Sequence, residues 1–396
     1  MGVSGGSPTS RFECTRRLSA ADSQCIWNAI AEIGARVGDR FTSNVPLFNC
    51  FGDHKMAVRG LVSARPWVAD DGQEGGGGDG GIMMVAGYPS LREAVIAVAK
   101  KELREDRVSR EQALQLMKEW LQKSQDIKNG RLDDAFILRF LRVKKFSVPL
   151  AQQTILKYLH FRNIYSHYCR QLDYLEPPVY ELLKSGYLFA LPQRDKLGRR
   201  VIFANAGKLD PYKYHNTDMA KAHLVTYETL LEDEDNQVLG FNHVTDLKGV
   251  CAAQMTLWSP SELGAIIKLG EQAVPMRHKE IHFLNVPPAF RMVYDFCKTL
   301  FSEKMRNRFY LHSSLEELHQ SVDPKILPKE YGGTIPMSEM IDMWMKEVSR
   351  KRDALLSLDR MESQKVMHSY KPRTTTPKAS NGITSLPGSF RRLEVD

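Results

Sequence analysis

His278 and His282 stand four residues apart, a spacing that on a helix would set two imidazoles on one face as a pair of metal ligands. Pro275 before them and the β-branched strand pattern around Ile281 remove that helix, so no metal site is expected. Gly2-Val3-Ser4-Gly5-Gly6 satisfies the G-x-S-x-G expression, yet a nucleophile elbow needs a strand before it and a helix after it, and neither pattern is present. The run Glu232-Asp233-Glu234-Asp235 offers carboxylates for acid–base work, but it closes a predicted helix and reads as a solvated helix end. Neither a G-x-x-x-x-G-K-[ST] loop nor a G-x-G-x-x-G turn after a strand occurs, which disfavours ATP and dinucleotide chemistry. Six scattered cysteines without a C-x-x-C pair read as reduced packing thiols. No catalytic residue, metal or nucleotide cofactor is expected.

The totals point the same way. At 396 residues, with 42% hydrophobic and 26% charged residues, the chain has the composition of an ordinary folded protein of about two domains. Every apolar run is broken by charge before the roughly 18 residues that a membrane span needs. The N-terminus has no apolar signal core, and Gly6 stands where a myristoylation motif requires Ser or Thr, so a cytoplasmic protein is expected. A net charge of +8 favours anionic partners. Nucleic acid is the weakest of them, because the basic residues lack aromatic interleaving or a helix-turn-helix or finger signature.

The elements that must position any site follow from periodicity. Residues 1–87 hold no sustained period and contain a Gly75–Gly81 glycine run, so they read as a disordered extension, with Met83 and Met84 offering an alternative start. Residues 88–172 read as a small all-α N-terminal bundle: a capping box at Ser109 and Gln112, a buried helix from Asp133, and a third helix opened by Ser147 and Pro149. Residues 173–340 switch to strands and helices in alternation. A hairpin at Leu188–Ala204 is followed by a helix at 217–231, a strand at 238–246, a helix opened by Ser259-Pro260, a strand at 281–284, an amphipathic helix at 288–301 and a strand at 309–311. That alternation makes the fold class α/β, a mostly parallel sheet flanked by helices. A C-terminal helix at 341–362 and a disordered tail at 363–396 complete the chain.

Ile137-Leu138-Arg139-Phe140-Leu141-Arg142 with Lys144-Lys145-Phe146, then Asp195 to Arg200, Asp246-Leu247-Lys248-Gly249, Ile281 to Asn285, and Leu327-Pro328-Lys329-Glu330-Tyr331-Gly332-Gly333 occur in order between Ser109 and Ser349. Together they resemble the CRAL-TRIO lipid-transfer family, in its tocopherol-transfer, retinaldehyde-binding and clavesin-like branch. The resemblance implies the CRAL-TRIO lipid-binding fold, an apolar cavity floored by the sheet and closed by a helical lid, carrying a tocopherol- or retinoid-like lipid without catalysis.

By that resemblance the cavity is lined by Ala220, His223, Tyr227, Phe241, Thr245, Ile266, Leu269, Val274, Met276, His278 and Ile281. The lid carries Phe290, Val293, Tyr294, Cys297 and Phe301, and Arg277, Lys279, Lys304, Arg306 and Arg308 form a cleft for phosphatidylinositol bisphosphate. Asn242-His243, and Lys248 where an acidic residue is common, depart from the pattern, so the cargo is open. Lys144-Lys145 and Arg391-Arg392 read as solvated charge. Two other readings stand beside the carrier. One is a phosphoinositide-sensing adaptor on endosomal membranes, with the tails recruiting trafficking proteins. The other is an enzyme, for which His223, Tyr227 and His278 are the available acid–base groups.

Overall fold

The computed structural model describes residues 90–363, so the expectations for the extension and for the tail beyond 363 lie outside the described residues. Helix α1 (Leu91–Val98) begins with a capping box between Ser90 and Glu93 and widens into a π-helical turn over Ala99–Leu103, which Arg104 ends in the left-handed region. Helix α2 (Arg107–Lys123) starts before the expected Ser109: Asp106 is the N-cap and Ser109 the third helical residue, each accepting the other's backbone N–H. Helix α3 (Asp134–Val143) is capped by the Asp133 carboxylate, which accepts from the Phe136 N–H, and its residues from Phe136 to Arg142 are all buried. Helix α4 (Val148–Ile164) follows Ser147, with Pro149 in its first turn where a missing N–H costs nothing. Helix α5 (Pro177–Lys184) leads into the sheet.

Strands β1 (Leu188–Arg194) and β2 (Arg200–Asn205) form the expected antiparallel hairpin, with Phe189 opposite Phe203. Strands β3 (Phe241–Asp246), β4 (His278–Leu284) and β5 (Phe309–His312) add in chain order, each parallel to the last, to give a mostly parallel five-stranded sheet. The crossovers run through α6 (Asn216–Leu231), α8 (Pro260–Ala273) and α9 (Pro288–Leu300). Successive right-handed crossovers in one direction put all three helices over one face. The other face is covered from the C-terminal side, where the Tyr331 ring meets Phe203 at 4.8 Å and its hydroxyl donates to Asp246 at 2.5 Å. A Cβ on Gly333 would stand 1.7 Å from the Leu327 carbonyl oxygen, so that loop closes only around glycine. Helix α10 (Met337–Ser357) lies along β1 and begins earlier than expected.

Strand β3 begins at Phe241 and not at Val238. Asp233 accepts the N–H groups of Asp235 and Asn236 and so caps a short helix α7 (Glu234–Leu239), which takes Val238 and Leu239 out of the strand. Gly240 then turns the chain at φ 86°, in a position where a Cβ would stand 2.5 Å from the Arg277 carbonyl oxygen.

The acidic run is also not a solvated end. Glu232 accepts from Arg131 and, at 2.7 Å, from the fully buried guanidinium of Arg139, which also donates to Glu228 at 2.8 Å. Tyr158 donates to the other Glu228 oxygen, and Arg142 bonds Glu105, Glu234 and Gln237. Glu232 and Glu234 of the run are counter-charges of the N-terminal helices, paired across about a hundred residues of chain, which local charge patterning does not reveal, while Asp233 pairs with Arg194.

Candidate functional site

Strand alternation sets Phe241, His243 and Thr245 of β3 with Ile281 and Phe283 of β4 on the face under α6, α8 and α9. Central strands of a sheet covered on both sides are ordinarily sealed. On the far face Val244, Asp246, His282 and Leu284 are buried, His282 and Leu284 each 1% exposed, with Glu280 half-buried at the start of β4. On the helix face Thr245, Ile281 and Phe283 stay half-buried, as do Ile266 and Leu269 of α8.

Apart from Thr245 and Ile281, the residues expected to line the cavity fall into three groups. His223 and Tyr227, one turn apart on α6, are joined: the Tyr187 hydroxyl lies 3.0 Å from His223 Nε2, and the Tyr227 hydroxyl lies 3.2 Å from His223 Nδ1. The Tyr227 ring stands edge-on to His243 at 6.2 Å and to His278 at 6.4 Å, and those two imidazoles are hydrogen-bonded at 2.9 Å. Ala220, Ile266 and Leu269 pack with Leu224 and Trp258 against Phe161, Tyr168 and Ala273. Phe241 and Met276 are sealed in the main core, with Val274 packed against it. His243 was not among the expected lining residues, although the alternation that selects Phe241 and Thr245 includes it. Tyr187 carries no such signal, because only the fold brings it to His223.

Burial holds the imidazoles neutral. Desolvation lowers His223 and His278 to about 4 and His243 well below its ordinary value, and pushes Tyr227 up to about 12. Two neutral imidazoles that share one hydrogen bond leave one N–H and one lone pair between them for another partner. The arrangement is a neutral polar belt inside an apolar shell.

Helix α9 roofs the β4–β5 side. Phe290 and Tyr294 meet Phe283, and Tyr294 and Phe301 meet Phe309, with ring centroids 5.1–6.4 Å apart. Cys297 is half-buried, its thiol raised to about 11 by desolvation; the side chain of Val293 lies outside those described. Both ends of the helix are tied to other elements. Asn285, at φ 55°, donates from its amide to Asp246 at 2.9 Å, while Ser302 donates its N–H to Glu271 at 3.1 Å and its hydroxyl to the same carboxylate.

The cations converge beside that roof. Arg277 donates to the Val238 carbonyl and, at 2.5 Å, to Glu102; Lys279 donates to the same Glu102 oxygen at 2.8 Å. Arg308 donates to the His278 carbonyl. Desolvation, followed by repulsion from Arg308, Lys145 and Arg277, lowers the exposed Lys304. Arg306, two residues on and therefore on the other side of their short helix, is exposed. Lys144-Lys145 do not belong to an independent solvated face: desolvation and the charges of Lys157 and Lys304 lower Lys144, and Lys145 faces Lys304. The N-terminal helices thus contribute to the same cluster. A surface hollow at Asn129–Asp133, Ser357 and Arg360 has mostly polar and charged lining and includes none of these residues.

The fold is that of the CRAL-TRIO class, and the comparisons with known proteins agree. The family model described as "CRAL/TRIO domain" matches residues 184–333. Human alpha-tocopherol transfer protein-like is 33% identical over 252 residues, covering 62% of this chain and 71% of that protein. Clavesin-1 of Xenopus laevis is 31% identical over 254 residues, covering 64% and 76%. A crystal structure of Sfh5 aligns over 60% of this chain and 92% of that chain at 19% identity, with a TM-score of 0.43. The chain belongs to the CRAL-TRIO lipid-transfer family, in its tocopherol-transfer-like and clavesin-like branch. No helix among the described residues is long and apolar enough to cross a membrane.

Proposed function

We propose that this protein carries a single hydrophobic lipid between the sheet and helices α6, α8 and α9, and exchanges it at membranes that display phosphatidylinositol bisphosphate. The observation that carries the reading is that Thr245, Ile281 and Phe283 stay half-buried beneath an aromatic-studded helix, whereas Val244, Asp246, His282 and Leu284 on the opposite face are buried. Burying cargo there contributes about 0.8 kcal/mol per methylene. The neutral belt of Tyr187, His223, Tyr227, His243 and His278 suits an uncharged head such as the hydroxyl or aldehyde of a tocopherol- or retinoid-like molecule. It supplies no buried cation for an ionised carboxylate. A phosphoinositide head group fits the cations Arg277, Lys279, Lys304, Arg306 and Arg308, joined by Lys144 and Lys145, because phosphate oxygens are best met by convergent charge-assisted donors. The protein acts from the cytoplasm as a peripheral carrier, and the belt orients cargo without transforming it.

Native mass spectrometry of the purified protein, followed by lipid extraction, tests the first half: one bound neutral lipid per chain is expected, and a protein that takes up no lipid from a tocopherol and retinoid panel ends the proposal. For the second half, Lys304→Ala with Arg308→Ala is expected to slow exchange to bisphosphate-containing vesicles roughly tenfold while leaving cargo affinity in solution nearly intact. Equal loss of both would remove the separate-cleft reading.

A further inference from the structure

Glu102 lies in the π-helical turn that ends the α1 segment, a conformation that is rare and concentrated at functional sites. Leu103 beside it is 1% exposed and anchors the turn, and the segment packs on α7. One carboxylate oxygen of Glu102 accepts from both Arg277 and Lys279. The same carboxylate is felt by Arg308, which Glu271 also faces, whereas the surrounding cations repel one another. A residue far upstream in the chain therefore stands where an anionic ligand of the cleft would place its own oxygen.

We propose that Glu102 is the resident counter-ion of the basic cleft and determines its specificity, by setting the charge an incoming anion must bring to displace it. This rests on the phosphoinositide reading above and deepens it. A carboxylate carries one charge and is already held at the site by its own chain, so its effective concentration is high. A phosphodiester or a serine head group brings one net charge, gains nothing electrostatically on exchange, and must also release an ordered turn. A phosphomonoester brings close to two charges and three acceptor oxygens, enough to satisfy Arg277, Lys279 and Arg308 together. The cleft then ignores the abundant monoanionic lipids and answers to polyphosphorylated ones. Displacement frees the α1 segment, so occupancy of the cleft is reported at the N-terminal helices.

The experiment compares the full chain with its Glu102→Gln variant on phosphatidylcholine vesicles doped with phosphatidylserine or, at matched total charge, with phosphatidylinositol 4,5-bisphosphate. The wild type is expected to partition strongly onto the bisphosphate vesicles alone. Glu102→Gln is expected to gain roughly tenfold on the serine vesicles and less on the bisphosphate ones, so that the preference collapses. Glu102→Ala, which removes the group altogether, should shift the same way, with a thermal melt showing that both variants fold. Glu111→Gln removes an equal charge at an exposed site paired with Arg107, and should change nothing. An unchanged preference in both Glu102 variants, or the same gain in Glu111→Gln, overturns the inference alone. Failure of every protein to bind bisphosphate vesicles overturns the phosphoinositide reading and this inference with it.

Discussion

Arg139 illustrates how much rests on single charges in this molecule. Its guanidinium is fully buried and holds Glu228 and Glu232, while Tyr158 completes Glu228. Removing one partner of such a group leaves the other charge desolvated and unpaired, so Arg139→Ala is expected to cost about 3–5 kcal/mol in urea denaturation. A loss below about 1 kcal/mol would mean that water reaches the carboxylates. The imidazoles give a second expectation, with a defined sign. His223 and His278 fall from 6.5 to about 4 in the folded protein, so the unfolded chain takes up their protons first as the solution is acidified. Stability is therefore intact above pH 6.5 and is progressively lost between pH 6.5 and about 4. A His278→Asn variant should show a flatter dependence of its denaturation midpoint between pH 7 and pH 5; the same slope as the wild type would show that His278 is not the group protonated. At this scale the sequence is partly legible. Alternation along β3 identifies His243, whereas the Glu102 pairing spans 175 residues of chain and leaves no local trace.

Helix α9 is the element whose behaviour the proposed carrier depends on. Its apolar stripe was readable from spacing alone, since Phe290, Tyr294, Cys297 and Phe301 recur at helical intervals. Its restraints were not, because Asp246 and Glu271 come from other elements and meet it only in the fold. For the same reason the start of β3 was misplaced: a cap by Asp233 and the turn at Gly240 outweigh the β-forming character of Val238. The two ties differ in strength. The Asp246 end is also fixed by the Tyr331 hydroxyl and by the Leu247 N–H to the Leu284 carbonyl, whereas the Glu271 end depends on one half-buried carboxylate and one exposed serine. The helix should therefore open from its C-terminal end. Glu271→Gln is expected to speed amide hydrogen exchange across residues 296–302 by roughly three- to tenfold and to leave 286–290 unchanged. Uniform acceleration along the helix would mean that it moves as a rigid body about neither end.

At the scale of the molecule, the N-terminal helices and the sheet-bearing part behave as one unit held by arginines. Arg131, Arg139 and Arg142 of the helices reach Glu228, Glu232 and Glu234 around α6 and α7, and Arg277 and Lys279 of the sheet return the contact to Glu102. The carboxylates of Glu228 and Glu232 are 3% and 8% exposed only because those helices cover them. A fragment beginning at residue 173 would therefore lose the guanidinium partners of both groups together with the roof formed by α3 and α4, where Phe136, Phe140 and Tyr158 pack edge to face. Uncovered, the carboxylates regain water, and the cost falls on the apolar surface that the two helices had buried, at about 25 cal/mol per Å². The fragment 173–363 is accordingly expected to be insoluble, or to melt well below residues 90–363, and the longer chain to unfold in a single transition by calorimetry and by tryptophan fluorescence. Two separated transitions, with the fragment retaining the higher of them, would show that the sheet-bearing part supports itself and that the arginines join two independent bodies.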